Sequence, residues 1–301
     1  MSHPGISKDR VIAIVCAVAV VIIFSSFTLI SRVGVRSTLA VPDIAALRFG
    51  IGGLILLPVF LKRGLGHLTP RQALWLTATG GLGFALTAYS GFALAPAVHG
   101  TVFLHGAIPL CAAALARIML SERPTRRGLW GLGMILVGVS AMALDSLHGA
   151  ELMQIVGDAC FLAASLFWCA YSILVQRYQV SAWQSAAIVA FFAMIAYLPI
   201  YAFFLDVKLF AADFSDIAVQ GSYHGVVVGA LSILIYTRAV NDLGATQTAL
   251  FTVAVPILTT LVAVPLLGEI PSSLAIAGLL IVTVGMVIAI QSSMARMAAS
   301  R

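Results

Sequence analysis

Residues 108–140 read IPLCAAALARIMLSERPTRRGLWGLGMILVGVS, and residues 255–287 read VPILTTLVAVPLLGEIPSSLAIAGLLIVTVGMV. The second stretch repeats the first, and that repetition decides the fold. Pro109 stands 13 residues before Glu122, and Pro256 stands 13 before Glu269. Pro124 and Pro271 each follow two residues after the Glu, and Gly131 and Gly138 match Gly278 and Gly285. All these pairs share one offset of 147 residues, as do Tyr89 and Tyr236. Earlier parts align with small gaps, Pro58 and Pro199 differing by 141.

The material between the repeated landmarks is almost wholly apolar. The chain has 301 residues, of which 61% are hydrophobic and 9% charged, with a mean hydropathy of +1.07. A soluble globule cannot bury that much apolar surface, so the chain is expected to be an all-α integral membrane protein in contact with the lipid bilayer. Breaks at charges, Pro and Gly leave ten apolar segments, about 11–31, 42–61, 73–95, 98–119, 128–144, 153–176, 182–205, 217–239, 246–267 and 272–291. Each approaches the ~20 residues that a spanning helix requires, and each is twice the length of a membrane strand. Little chain is left for a soluble catalytic domain. The four cysteines, Cys16, Cys111, Cys160 and Cys169, lie inside these runs and read as small core residues. The basic N-terminus before Val11 is not read as a cleaved signal, because its apolar run continues to Ile30.

Ten segments divide into a first half, 1–150, and a second, 151–301, of five spans each. An odd number per half makes the second half enter the membrane upside down relative to the first. Inverted repeats are the architecture of secondary transporters, which bind substrate near the midplane between the halves. Orientation follows from Lys and Arg. With the N-terminus inside, thirteen fall in inner loops: Lys8, Arg10, Lys62, Arg63, Arg71, Arg117, Arg123, Arg126, Arg127, Arg177, Arg238, Arg296 and Arg301. Only Arg32, Arg36 and Lys208 fall outside, and Arg48 lies within the second span. Both termini are therefore expected in the cytoplasm, and the net charge of +6 is topology rather than a nucleic-acid patch.

The two quoted stretches, with AALRFGIGGLILLP at 45–58, resemble the EamA-type branch of the drug/metabolite transporter superfamily. Within it the chain looks most like the YddG-type exporters of aromatic and other apolar amino acids. The resemblance implies ten helices in two inverted five-helix repeats, with helices 1, 3, 4, 6, 8 and 9 around a central cavity. Helix 1 carries no acidic residue, unlike that of the small four-helix multidrug members, which puts drug/proton antiport in doubt. The phosphate-handling plastid relatives would place Lys or Arg deep in several spans, and here Arg48 stands nearly alone.

The residues that could meet a substrate are few. His105 shares a helical face with Thr101 and Pro109, and the ninth span presents Thr248, Thr252 and Pro256 in the same way. The two polar stripes each run into a proline, which frees a carbonyl and kinks the helix. Phe24 and Phe27 align with Trp168 and Tyr171 at an offset of 144, so both halves offer an aromatic pair at like depth. Tyr89, Tyr223 and Tyr236 add hydroxyls. Aromatic rings would stack on the substrate while His105, the tyrosines and Thr252 meet its polar groups. Pro109 and Pro256 read as gating or structural. Arg48 could hold a substrate carboxylate, but is read as snorkelling or as a tie to a neighbouring helix. Asp158 reads as a cap or a wet interfacial group that could carry a proton. Trp75, Trp130 and Trp183 fall near span ends, as interfacial belt residues do. The glycines at 80, 81 and 83 and at 131, 133 and 138 allow close helix contact or hinge motion.

The expectation is a non-enzymatic secondary transporter of the inner (cytoplasmic) membrane, exporting small neutral solutes, apolar or aromatic amino acids first, by alternating access. No cofactor or metal is expected, since G-x-x-x-x-G-K-[ST] is missing and His99 and His105 point to different faces. The oligomeric state is left open, a homodimer included. The alternatives are a proton-coupled multidrug or nucleotide-sugar/metabolite transporter of the same superfamily, a membrane-embedded lipid enzyme and a non-transporting sensor or assembly factor.

Overall fold

A computed structural model describes residues 8–119, 124–148, 152–243 and 251–299, and all regular structure among them is helical. Helix α1 runs Lys8–Val35 and α2 Val41–Arg63. Helix α3 begins as Pro70–Thr77, widens to a π-helix over Ala78–Gly83 and ends as Phe84–Leu94. Helix α4 begins as Ala97–His99, is π-helical over Gly100–Gly106 and resumes at Ile108–Met119. Then follow α5 (Arg126–His148), α6 (Leu152–Arg177) and α7 (Ala182–Phe204). Helix α8 comprises Phe214–Gln220, a π-helix Gly221–Leu231 and Ser232–Leu243. Helix α9 includes Ala254–Leu267, and α10 is Ser273–Ala299. Glu122 and Thr248 lie outside the described residues.

Eight helices among the described residues are long and apolar enough to cross a membrane, from α1, α2, α4 to α8 and α10. Ala254–Leu267 of α9 is a shorter apolar helix, and α3 is interrupted by its Gly-rich π segment. Ends are set by ordinary local chemistry. Thr69 caps α3, its hydroxyl accepting from Gln72 N–H at 3.3 Å while the Gln72 side chain accepts from Thr69 N–H at 2.8 Å, and Pro70 fills the first turn. Gly268 stops α9 at φ +66°, which only glycine adopts without strain.

Pro109 and Pro256 each lie just past a break in their helix. Helix α4 turns at Ala107, two residues before Pro109, and α9 turns at Val253, three before Pro256. Neither nitrogen can donate to the preceding turn, and the helix restarts around each.

Repeat-equivalent helices lie against each other and run antiparallel. Helix α2 meets α7 with Asp43 at Tyr201, Phe49 at Tyr197 and Phe60 at Phe191. Helix α5 meets α10 more closely. Arg127 donates to Gln291 at 2.9 Å, and Ser272, just before α10, donates to Asp145 at 2.6 Å near the other end of α5. Between those ends a Cβ on Gly131 would stand 2.8 Å from the Gly285 carbonyl, and one on Gly138 would stand 2.7 Å from the Gly278 carbonyl. The four glycines of the repeat thus face one another crosswise, and their lack of side chains lets the backbones touch.

The outward faces of the bundle are apolar, with Leu54, Leu61, Leu136, Phe203 and Phe204 all exposed. Trp75, Trp130 and Trp183 are exposed too, each in the first turns of α3, α5 or α7. Those turns share one end of the bundle, as belt residues at a membrane surface would.

Candidate functional site

Mid-way along the bundle, α1, α2, α3, α4, α6 and α8 enclose a cavity with about 510 Å³ of empty space, its mouth included. Phe24 and Phe27 come from α1, Phe84 from α3, His105 from α4 and Trp168 from α6. Helix α2 contributes Arg48, and α8 contributes Ser232 and Ile233. The wall is otherwise aliphatic, a composition that suits an apolar body with one polar end.

The aromatic part is one connected cluster. Phe24 meets Trp168 edge-on at 6.2 Å, so residues equivalent under the 144 offset face each other across the cavity. Tyr236 stacks on Phe24 at 6.1 Å and meets Trp168 at 6.1 Å. His105 lies 5.8 Å from Phe24. Phe84 joins Trp168 at 5.1 Å and Phe27 at 5.9 Å. Of the expected residues, Phe24, Phe27, His105, Trp168 and Tyr236 are therefore brought together.

The other tyrosines lie behind this wall. Tyr171 is buried beside Gly80 of α3 and shares a hydrogen bond of 2.7 Å with Ser185 of α7. Tyr223 donates to the Ile23 carbonyl at 2.9 Å and pairs with the Ser26 hydroxyl at 2.6 Å, tying α8 to α1. Tyr89 is fully buried between Arg48 and His224. Thr252 is half-buried, and no described α9 residue is among those lining the cavity. Thr101 is buried with its hydroxyl donating to the Val98 carbonyl at 2.7 Å. It does not join His105 on the wall, because the π-helical turns of Gly100–Gly106 spread residues that a 3.6-residue period would align.

Two ionisable residues differ from the reading of them as interfacial. Arg48 does not snorkel. It is 7% exposed, lies 5.6 Å over the Phe84 ring and donates to the Tyr89 hydroxyl at 3.4 Å. It also walls a second crevice of about 310 Å³, between α2, α3, α7 and α8. Arginine can only donate, so Tyr89 accepts from Arg48 and turns its own proton to His224 Nδ1, 2.9 Å away. Asp158 is not wet. It is 4% exposed and pairs with His99 Nδ1 at 2.9 Å, and Asp145 approaches the same imidazole at 3.8 Å. Sequence reasoning passed over Phe84 and did not pair His224 with Tyr89 or His99 with Asp158. The signal available for the last two was the rarity of ionisable groups inside spans.

The end of the bundle where α1 hands over to α2 is tied together by a polar knot. Glu269, in the α9–α10 connection, accepts from Arg32 at 2.7 Å and Arg36 at 2.6 Å. Its other oxygen accepts from the Ala97 amide of α4 at 2.7 Å, while Arg32 also donates to the Phe92 carbonyl of α3. Asp43 accepts from Tyr201 at 2.5 Å and from the Lys208 and Leu209 amides. Asp216 accepts from the Thr38 hydroxyl at 2.7 Å.

Comparison with known proteins adds the following. The EamA-like transporter family matches twice, over residues 11–144 and 155–291. The uncharacterized transporter YyaM of Bacillus subtilis (strain 168) is 22% identical over 234 residues, covering 72% of this chain and 74% of that protein. A protein of known crystal structure superposes with a TM-score of 0.60 at 22% identity, over 92% of this chain and 96% of its own. That likeness shows the fold.

Proposed function

This chain belongs to the EamA-like transporter family, and on that premise we propose that it exports small neutral solutes, apolar and aromatic amino acids first, across the inner membrane by alternating access. The single observation that carries the substrate reading is the cavity lined by Phe24, Phe27, Phe84 and Trp168, with Tyr236 in the same cluster. It is the environment in which a flat apolar side chain gains most from leaving water. The YddG-type likeness is part of this proposal.

The architecture proposed with it is ten spans, α3 and α9 joining the eight apolar ones, in two inverted halves, 1–150 and 151–301. The antiparallel pairing of α2 with α7 and of α5 with α10 supports inversion, since equivalent helices of an inverted repeat run in opposite directions. Both termini are assigned to the cytoplasm by the distribution of Lys and Arg. The knot around Glu269 then closes the outer side. No catalytic role is assigned, and the substrate is the one small-molecule partner proposed.

A proton-coupled reading has one observation in its favour, the buried His99–Asp158 pair. One experiment addresses both. Proteoliposomes holding only this protein are assayed for flux of labelled Phe, Trp, Thr and Met and of a cationic dye, with and without a pH gradient. Amino-acid flux without a gradient supports facilitated export. Gradient-driven dye movement instead favours proton-coupled drug transport. No flux from folded protein refutes the exporter reading.

A further inference from the structure

We propose that Arg48 is the ion-pair partner of the substrate, so that the site takes monocarboxylates with an apolar or aromatic body. The inference rests on the transporter reading above and deepens it by naming the charge that is recognised. Arg48 is a cation buried mid-bundle on the wall of both cavities. Its contacts among the described residues are the Tyr89 hydroxyl, at the long distance of 3.4 Å, and the face of Phe84. Neither carries a charge. Asp43, Asp158, Asp216 and Glu269 have other partners: Tyr201, His99, Thr38, and Arg32 with Arg36. Among the described residues, no acid lines either cavity.

A buried cation without an anion is strongly unfavourable, and more so where lipid surrounds the helices. Its persistence here calls for an anion that arrives from outside the fold. The guanidinium fork matches a carboxylate in two parallel hydrogen bonds. A carboxylate placed at Arg48 leaves the ligand's body among Phe24, Phe84 and Trp168, which the same cavity presents. The single charge is then neutralised, and nothing anionic in the lining competes for it.

The test is binding, measured by calorimetry on the purified full chain in nanodiscs and therefore independent of flux. The probes share a phenyl ring and differ in charge: 3-phenylpropionate, L-phenylalanine and phenethylamine. 3-Phenylpropionate is expected to bind most tightly, L-phenylalanine more weakly because its ammonium meets no acid among the described lining residues, and the amine not at all. Arg48→Gln is expected to weaken both acids by roughly 10- to 100-fold, the worth of a charge-assisted hydrogen bond, and Arg48→Lys to recover part of that loss. The wild-type series stands even where a variant fails to fold. Phenethylamine binding as tightly as 3-phenylpropionate overturns the proposal, and so does binding of L-phenylalanine without 3-phenylpropionate. Unchanged acid binding by folded Arg48→Gln overturns it as well. Carboxylate binding without flux in liposomes would sink the exporter reading and leave this one standing. Flux of neutral solutes with no carboxylate preference would do the reverse.

Discussion

Replacing Gly131 by Ala adds one methyl group to the backbone-to-backbone seam between α5 and α10. That Cβ would stand 2.5 Å from the Ala289 nitrogen, 2.8 Å from the Gly285 oxygen and 3.0 Å from the Ala289 Cα. Ordinary contacts between such atoms begin near ~3.5 Å, so α5 and α10 must separate by roughly 1 Å. All three neighbours are backbone, and none can rotate away. Overpacking of this kind costs about 1–3 kcal/mol. Gly133, two residues along the same helix, is the control, because a Cβ there meets nothing within 4 Å. Its change to Ala is expected to be neutral, or favourable by up to ~1 kcal/mol through helix propensity. The assay is thermal melting of the purified protein, where Gly131→Ala should fall by roughly 3–10 °C and Gly133→Ala should not fall. Equal melting temperatures for the two variants would refute the close antiparallel contact and the crosswise pairing of the repeated glycines.

Trp168→Ala is expected to weaken binding of an aromatic substrate, while Tyr171→Phe lowers stability by about 1 kcal/mol through its lost bond to Ser185 and leaves affinity unchanged. Titration and melting of both variants check this, and the opposite assignment would move Tyr171 into the site. Glu269→Gln removes the charge that Arg32 and Arg36 share. A Cys placed at Phe27 should then react faster with an impermeant maleimide added to intact cells, and an unchanged rate would show that the knot does not close the cavity. Asp158→Asn should lower stability by about 1–3 kcal/mol, because His99 loses a buried charge-assisted partner. Asp206→Asn is the contrast, since Asp206 is exposed beside Lys208 and such pairs contribute little. Matching melts for these two would contradict the buried pair.

Much of the fold is legible because it is written twice. The 147-residue offset predicts which glycines matter, and Gly131, Gly138, Gly278 and Gly285 meet along one seam. The 144 offset brings Phe24 and Trp168 to one cavity. The site is less legible, for two physical reasons. Faces drawn with a 3.6-residue period fail across Ala78–Gly83, Gly100–Gly106 and Gly221–Leu231, where the turns are wider. Thr101 therefore parts from His105. Buried hydroxyls also need partners, and those of Tyr171, Tyr223 and Tyr89 sit on other helices as Ser185, Ser26 and His224. A linear sequence does not reveal that these tyrosines are already satisfied. Arg48 is the converse case. Its bond to Tyr89 of α3 agrees with the reading as a tie to a neighbouring helix, while its burial on a cavity wall follows from no sequence pattern.

The α5–α10 seam constrains how the halves can move. Where backbones touch there are no side chains to change rotamer, so this contact cannot slide by small repacking as ordinary helix interfaces do. The cavity wall, by contrast, has empty space and wide π-helical turns in α3, α4 and α8. Under the alternating access proposed above, motion is expected where packing is loose, with the seam as its axle. Probes across the cavity, at Phe27 and Trp168, would change separation during a transport cycle. Probes astride the axle, at Gly128 and Ser292, where a Cβ added to the glycine would lie 3.1 Å from the serine hydroxyl, would keep theirs.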